Sequence, residues 1–363
     1  MSETSNGTSG PEAPLKFDFG QITSLVTAEF QLDEALLENS IPTYYLKQPQ
    51  ETKQPFLRLL ENLEPLNLIA FLRKQDGRVV LKVVSKPESK PSNVLVNWVL
   101  FFATIGTTFI TGYLLSSDMM NPFLGGAAFT IAIMTVLGAH EMGHKLIANK
   151  RGMEATPPYF IPGPPPVLGF LGVGTFGAVI MQKSLSPNKD ALFDVGASGP
   201  LIGFVVAVVA VVVGFPFSSY ALFPKDASTL PTPLLFYVVE QFLSPLGPIP
   251  HPTGNLLLGI NLHPVAFAGW VGLIVTMLNL LPAAMLDGGH VARALVGDGA
   301  RLVLTVLSLA VLIISGYLPM ALFVLFLAMY KHPGPLDDVS GLSRSRKLLT
   351  AVLVVVFVLC LSI

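Results

Sequence analysis

The chain has 363 residues, of which 52% are hydrophobic and only 12% charged, and its mean hydropathy is +0.63. Because soluble domains carry about 25% charged residues, this composition excludes an ordinary soluble enzyme and indicates a polytopic membrane protein with one smaller soluble part. The net charge of −1 gives no reason to expect nucleic-acid binding, and the single cysteine, Cys360, excludes an intrachain disulfide and a C-x-x-C pair.

The first 90 residues are predicted to lie outside the membrane. Residues 1–14 are polar and lack the features of a signal or transit peptide, so we expect a disordered tail. Residues 15–90 contain no apolar run of span length. Strand-like runs flank the turn signal Asp76-Gly77, and a helical pattern precedes them. The sequence predicts a small α/β soluble domain at 15–90, ending in a polar linker at 86–92, and a membrane domain at 91–363.

Apolar runs in the membrane domain predict an all-α polytopic protein with about six or seven transmembrane helices. The run at 191–215 contains Asp194, expected near a helix N-terminus, and small residues that permit close helix packing. The segments 301–317 and 318–330 are predicted to form either a helical hairpin or a broken pair. The predicted spans are 94–115, 123–148, 191–215, 264–281, 301–317, 318–330 and 348–363.

A stretch dense in proline and glycine, at 157–177, separates the second and third predicted spans. It is too irregular for a spanning helix and too apolar for a fully solvated loop. Non-helical backbone at membrane depth persists only where it is buried in protein or lines a watery cavity. We therefore predict a re-entrant loop or β-hairpin here, with an interfacial loop of no functional role as the alternative.

The flanking charges predict the orientation of the spans. If the spans alternate, Lys225 is the flanking cation on one side and all the others share the opposite side, which the positive-inside rule makes cytoplasmic. The N-terminal domain and the open end of the predicted site are then cytoplasmic, and we expect a multi-pass protein of the plasma membrane. The cytoplasmic set is Lys86, Lys90, Lys145, Lys150, Arg151, Lys183, Lys189, Arg293, Arg301, Lys331, Arg344, Arg346 and Lys347.

The motif His140-Glu141-x-x-His144 lies near the end of the second predicted span. Histidines four residues apart share one helix face and can bind a single Zn²⁺, while the intervening glutamate can act as general base. Ionisable groups at membrane depth indicate a functional site by default. The competing interpretation is a pair of hydrogen-bonded histidines, with Glu141 paired to Lys145.

Catalytic zinc usually has a third protein ligand, and Asp287 is the best candidate. It follows the fourth predicted span, where Pro282 breaks the helix and Gly288-Gly289 allow a tight turn. His290 is predicted either to support the ligands without binding the metal or to lie at a helix start, and a three-histidine site using it instead of Asp287 is a minor alternative. Asn279 is predicted to stabilise an oxyanion or else to cap the broken helix. No chemistry is assigned to His251, His263 or His332.

These residues resemble the motifs of the site-2 protease family of intramembrane zinc metalloproteases, in the branch shared by prokaryotes and chloroplasts. The resemblance is carried by His140-Glu141-x-x-His144, by Gly174-Thr175-Phe176-Gly177-Ala178, and by Asn279-x-x-Pro282-x-x-x-x-Asp287-Gly288. It implies a three-helix catalytic core within about 120–300, one Zn²⁺ held by His140, His144 and Asp287, and Glu141 as catalytic base. It also implies cleavage of membrane-anchored proteins in or near their transmembrane segments, as in regulated intramembrane proteolysis.

Substrate binding is predicted at Gly174, Thr175, Phe176 and Gly177, where a strand edge can pair with an extended substrate. The lipid bilayer and membrane-anchored substrates are the expected partners, with a regulatory partner for the N-terminal domain. Two other functions compete: a transporter or channel that uses the histidines as an ion site, and an inactive homologue acting as a scaffold. The convergence of polar groups at one depth argues against the first, and the complete set of catalytic groups argues against the second.

Overall fold

The computed structural model describes residues 18–87, 93–117, 119–166, 172–227, 230–251 and 256–362. The predicted tail at 1–14, residues 88–92 of the predicted linker and residues 167–171 of the proline- and glycine-dense stretch lie outside these ranges. The chain divides into two compact units. The first comprises Met1–Glu88 with Leu336–Gly341, and the second comprises Ser89–Pro335 with Leu342–Ile363.

The first unit is a four-stranded antiparallel sheet with two helices. Its sheet has the order β1-β2-β4-β3, and the helices bury apolar side chains such as Val26 and Phe56. Asp76 and Gly77 both have positive φ and join β3 to β4, as the turn signal predicts, because such a turn matches the twist of paired strands. The elements are α1 (Phe19–Glu29), β1 (Leu32–Glu38), β2 (Ile41–Leu46), α2 (Lys53–Leu63), β3 (Leu68–Gln75) and β4 (Arg78–Ser85).

A short segment from far along the chain completes this unit. Leu72 of β3 donates its N–H to the carbonyl of Leu336 at 2.9 Å and accepts from the N–H of Asp338 at 3.1 Å. Residues 336–341 fall within the predicted membrane domain, whereas in the structure they belong to the first unit. The physical reason is that β3 is an edge strand whose free backbone groups accept another extended segment.

The second unit is mostly helical, with two β-hairpins. Among the described residues, four helices (α3, α4, α5 and α8) are long and apolar enough to cross a membrane. Helices α7, α9 and α10 have 17, 11 and 17 residues, at or below the length a span requires, so a count of six or seven spans remains a proposal. The elements of this unit are α3 (Val94–Leu115), α4 (Pro122–Lys150), β5 (Tyr159–Pro162), β6 (Thr175–Val179), α5 (Lys189–Gly214), β7 (Ser219–Pro224), α6 (Leu234–Glu240), β8 (Leu256–Asn261), α7 (Pro264–Leu280), α8 (Asp287–Ile314), α9 (Leu318–Ala328) and α10 (Arg344–Cys360).

Helices α4, α5 and α7 form the core of this unit. Phe129 and Ile133 of α4, Phe193 of α5 and Leu273 of α7 are fully buried in one apolar cluster. The outward faces of α4 and α5 are also apolar, which is the pattern of helices that contact lipid on one side and protein on the other, whereas every residue of α7 is at least partly buried.

Two segments differ from their sequence-based prediction. The predicted helix at 301–317 is part of a longer helix, α8, which begins at Asp287 and is interrupted at Gly297, where φ is +83°. The region 216–261, for which no helix or strand is predicted, contains α6 and the β7–β8 hairpin. A cavity of about 820 Å³ lies among these elements and α7, and it includes none of the residues of the predicted metal site.

Candidate metal centre

The two histidines of the motif lie one turn apart on α4, as their spacing predicts. Their Nε2 atoms are 3.2 Å apart, and the rings meet edge to face. Both residues are buried, at 4% and 6% exposure. Because their Nε2 atoms converge on one point inside the helical unit, they can share a single metal ion.

Asp287 completes the cluster from the start of α8. Its Oδ2 atom lies 3.2 Å from Nε2 of His140 and 3.3 Å from Nε2 of His144. The end of α7 at Leu280 and the positive φ of Ala284 turn the chain so that α8 begins beside α4. The predicted tight turn at Gly288-Gly289 is wrong in detail. Both glycines lie in the first turn of α8, and a Cβ on Gly288 would be 2.2 Å from the carbonyl oxygen of Leu280, so the glycine permits close approach.

The three converging atoms form a triangle with edges of 3.2, 3.2 and 3.3 Å. Three corners of a tetrahedron around Zn²⁺, with ligand distances of about 2.0–2.1 Å, are separated by about 3.3–3.4 Å. Two imidazole nitrogens and one carboxylate oxygen are also a donor set that zinc accepts. The residues present therefore fit a tetrahedral zinc ion with a fourth position open.

Glu141 lies at the edge of this triangle. Its Oε1 atom is 3.9 Å from Nε2 of His140, farther than the Asp287 carboxylate, and the residue is 7% exposed. Glu141 forms with the two histidines a cluster whose possible ligand atoms all lie within 4.8 Å of one another. The backbone of Ile180, the residue after β6, lies against its carboxylate. Glu141 thus sits between the histidines and the β5–β6 hairpin.

Asn279 reaches the same point from the last turn of α7. Its Nδ2 atom is 3.3 Å from Nε2 of His140. Its side chain is partly buried and contacts the histidine cluster rather than the end of its own helix. Helices α4, α7 and α8 therefore each contribute a polar side chain to one cluster.

Helix α5 packs against both histidines, and the sequence does not predict these contacts. The carbonyl oxygen of Val195 is 2.8 Å from Nδ1 of His144. Since a carbonyl only accepts, Nδ1 carries the proton and Nε2 presents its lone pair to the cluster. A Cβ added to Gly199 would lie 2.1 Å from Nε2 of His144, and one on Gly203 would lie 2.9 Å from Nδ1 of His140. The run of small residues at 196–200 was the available signal, but it was assigned only to helix packing.

The predicted substrate residues lie in the β5–β6 hairpin. The Thr175 hydroxyl donates to the carbonyl of Ile161 at 2.8 Å, and the carbonyl of Gly174 accepts from Thr107 of α3 at 2.6 Å. Gly174 and Gly177 both have positive φ. Phe176, by contrast, is 71% exposed. Gly174 and Thr175 thus fasten the hairpin, whereas β6 pairs only with β5 among the described strands and leaves its other edge open.

The structure assigns other partners to His290 and Asp194. Nδ1 of His290 is 2.8 Å from Nε2 of His332, so His290 is paired outside the cluster, which disfavours the three-histidine alternative. Burial and then the nearby His290, Arg301 and Arg293 lower the pKa of His332 to about 3, which keeps its ring neutral. Asp194 lies in the second turn of α5 and pairs with Arg151 and Arg346. The sequence by itself indicates no role for His332 and only a helix-end position for Asp194.

The site consists of two histidines, a glutamate and an aspartate enclosed by apolar helices. This arrangement defines the class of membrane proteins with a metal-binding site among their helices. Residues 128–323 match the model of peptidase family M50, and the chain belongs to this family. This confirms the resemblance to the site-2 proteases that the motifs indicated.

Curated relatives are plant proteins. The chain is 28% identical over 320 residues to the "Probable zinc metalloprotease EGY1, chloroplastic" of Oryza sativa subsp. japonica, covering 82% of this chain and 50% of the relative. It is 30% identical over 254 residues to the Arabidopsis thaliana protein of the same name (67% and 44% coverage) and 31% identical over 280 residues to "Probable zinc metalloprotease EGY3, chloroplastic" of Oryza sativa subsp. indica (72% and 44%). The chain spans about half the length of these relatives. No solved structure matches it.

Proposed function

We propose that this protein is an intramembrane zinc metalloprotease that hydrolyses peptide bonds within or near the transmembrane segments of membrane-anchored proteins. The observation that carries the proposal is the ligand triangle of His140, His144 and Asp287, with edges of 3.2–3.3 Å, inside an apolar helical unit. The names of the plant relatives agree with it.

His140, His144 and Asp287 would hold the zinc ion. Zinc supplies a Lewis acid that polarises the peptide carbonyl and makes water more acidic. Two neutral imidazoles and one carboxylate leave a net positive charge at the ion, which suits that role. The carbonyl of Val195 keeps the proton of His144 on Nδ1, so that Nε2 stays available to the metal.

Glu141 is the proposed general base and acid. Its carboxylate takes a proton from the attacking water as the oxygen bonds to the carbonyl carbon, and then returns the proton to the amide nitrogen as the C–N bond breaks. A carboxylate and an amine are the products. Asn279, whose amide lies at the cluster, would donate a hydrogen bond to the oxygen that develops negative charge.

The open edge of β6 is the proposed substrate site. A transmembrane helix must unwind before its peptide bonds can be attacked, and its backbone groups then need partners within the membrane. Pairing with β6 supplies them, and it brings the added strand to the side of Ile180 and Glu141. Phe176, which is exposed on β6, would contact substrate side chains.

The charge distribution supports an opening on the cytoplasmic side, with the N-terminal unit on that side as well. We propose the plasma membrane as the location. The plant relatives are named as chloroplastic proteins, which describes those proteins. We further propose that the first unit receives a regulatory partner.

The test is cleavage of a single-span model substrate by the purified full-length protein in detergent. Wild type should cut, a zinc chelator should stop the cutting, and Glu141→Gln should abolish it while zinc remains bound. Glu240→Gln is the matched control, because Glu240 lies on the 820 Å³ cavity away from the metal site. Undiminished cutting by Glu141→Gln, or a well-folded wild type that binds no zinc, would overturn the proposal.

A further inference from the structure

The chain between α9 and the first turn of α10, residues 331–346, is here named the return segment. Its middle part, Leu336–Gly341, belongs to the first unit, and its two ends belong to the second. Each end makes polar contacts with the first turns of a helix that shapes the metal site. None of these contacts has a role in the proposed reaction.

The first end holds the start of α8. His332 is 3% exposed, and its Nδ1 accepts from the N–H of Gly334 at 3.0 Å. In a neutral ring the proton therefore sits on Nε2, which donates to Nδ1 of His290 at 2.8 Å. His290 lies one turn after Asp287 and is bound to the carbonyl of Leu286 through its own N–H. The His332–His290 bond thus fixes the turn that carries the metal-site aspartate.

The second end holds the start of α5. Arg346 binds both carboxylate oxygens of Asp194, with Nε at 2.9 Å and Nη2 at 2.8 Å, and Ser343 donates its N–H to Asp190 at 2.9 Å. Asp194 also pairs with Arg151 at the end of α4. The next residue after Asp194 is Val195, whose carbonyl holds Nδ1 of His144. A guanidinium group that forms two hydrogen bonds to one carboxylate constrains its orientation as well as its distance. The pair therefore holds this turn of α5 in one position.

The two anchored turns touch each other beside the ligand triangle. A Cβ added to Gly196 would lie 2.8 Å from the carbonyl oxygen of Asp287 and 2.9 Å from Cβ of His290. Displacement of either turn therefore moves the carboxylate or the carbonyl that orients His144. Metal sites tolerate about 0.2 Å in ligand distance, so small displacements matter.

We propose that His332 and Arg346 are positioning residues for the metal site, acting through His290 on Asp287 and through Asp194 and Val195 on His144. The proposal rests on the proposed function, because it takes these side chains to bind zinc. Neither residue touches the ligand atoms. Groups that orient metal ligands typically change metal affinity by about 10–100-fold when they are removed, and we expect an effect of that size here.

The experiment measures zinc affinity of the full-length protein in detergent by competition with a chromophoric chelator, and the visible absorption of the Co²⁺-substituted protein. His332→Ala and Arg346→Met should each weaken zinc binding by about 10–100-fold and alter the Co²⁺ spectrum. The matched controls are His251→Ala and Arg344→Met, which remove the same residue types at exposed positions and should leave both readouts unchanged. Size-exclusion chromatography and circular dichroism establish that each variant is folded.

If His332→Ala or Arg346→Met aggregates, the more conservative variant His332→Gln or Arg346→Lys is measured instead. Wild-type affinity and spectrum in folded variants of both residues would overturn the positioning proposal while leaving the proposed function intact. A wild type that binds no zinc would overturn the proposed function, and the positioning proposal with it. Weakened binding in both variants, with unchanged controls, supports the assignment.

Discussion

His144 is held from both sides, by Asp287 on its Nε2 and by the carbonyl of Val195 on its Nδ1. The ring cannot rotate without losing the hydrogen bond from Nδ1 to the Val195 carbonyl and moving Nε2 away from Asp287. Gly199 of α5 lies directly behind the ring, and there the absence of a side chain is a geometric requirement.

Replacement of Gly199 by alanine should destroy the metal site. The new Cβ would lie 2.1 Å from Nε2 of His144, so the ring or helix α5 must move. We expect at least about a 100-fold loss of zinc affinity, the upper end of the effects seen when ligand orientation is disturbed. The control is Gly106→Ala in α3, where a Cβ meets nothing within 4 Å. Equal zinc binding by both variants, measured by chelator competition, would contradict the prediction.

Asn279 is predicted to affect catalysis rather than metal binding, because its amide contacts His140 but is not one of the three predicted ligands. Asn279→Ala should lower kcat by about 10²–10³-fold, the usual effect of removing one oxyanion donor, while zinc stoichiometry stays at one per chain. The measurements are steady-state cleavage and metal analysis of the same preparation. Loss of zinc from this variant would instead indicate that Asn279 supports the ligands.

At the scale of elements, the β5–β6 hairpin is attached to the helical unit through α3. The hydroxyl of Thr107 donates to the carbonyl of Gly174 at 2.6 Å, and Gly174 leaves no room for a side chain against Thr111. If β6 binds the substrate as proposed, this bond is one of the contacts that hold it in position. The contact lies on α3, outside the three helices that carry the metal-site side chains.

Thr107→Val should loosen the hairpin without affecting the metal. Valine keeps the shape of threonine but removes a hydrogen bond worth about 1 kcal/mol, which corresponds to about a fivefold rise in KM. Zinc affinity should not change. Thr135→Val in α4 is the matched control, since the Thr135 hydroxyl donates to the carbonyl of Ile131 within its own helix. An unchanged KM in Thr107→Val would show that the hairpin does not depend on this bond.

At the scale of the whole molecule, the positive-inside rule predicts which ends of the helices face the cytoplasm. Cys360 is buried, and it is the one cysteine of the chain, so Cys360→Ala provides a cysteine-free background. Lys225→Cys and Lys331→Cys then place a single thiol at exposed positions on opposite predicted sides.

We expect a membrane-impermeant maleimide to label Lys225→Cys on intact cells and Lys331→Cys only after permeabilisation. The cysteine-free protein should remain unlabelled in both conditions. Labelling of both single-cysteine variants on intact cells, or the reverse pattern, would contradict the proposed orientation. The metal site itself would be unaffected by such a result, because its geometry does not depend on the direction of insertion.

The sequence was enough to predict features set by local periodicity or by the cost of charge in an apolar setting. The four-residue spacing of His140 and His144 places them on one helix face wherever that helix lies. An aspartate that follows an apolar run and a proline was a strong candidate for the third ligand, and the structure brings Asp287 to both histidines. The Asp76-Gly77 turn is likewise a local feature.

Some contacts involve groups that have no recognisable pattern in the sequence, and only the tertiary structure determines them. The Val195 carbonyl is chemically identical to every other carbonyl, and its role depends on α5 packing against α4. Leu336–Gly341 joins a sheet edge more than 250 residues earlier, because backbone pairing needs an open edge and no particular side chains. The His290–His332 and Asp194–Arg346 pairs join residues 42 and 152 positions apart. The sequence determined which chemistry is present, whereas packing determined which groups hold it in place, because long-range contacts leave no periodic pattern in a single chain.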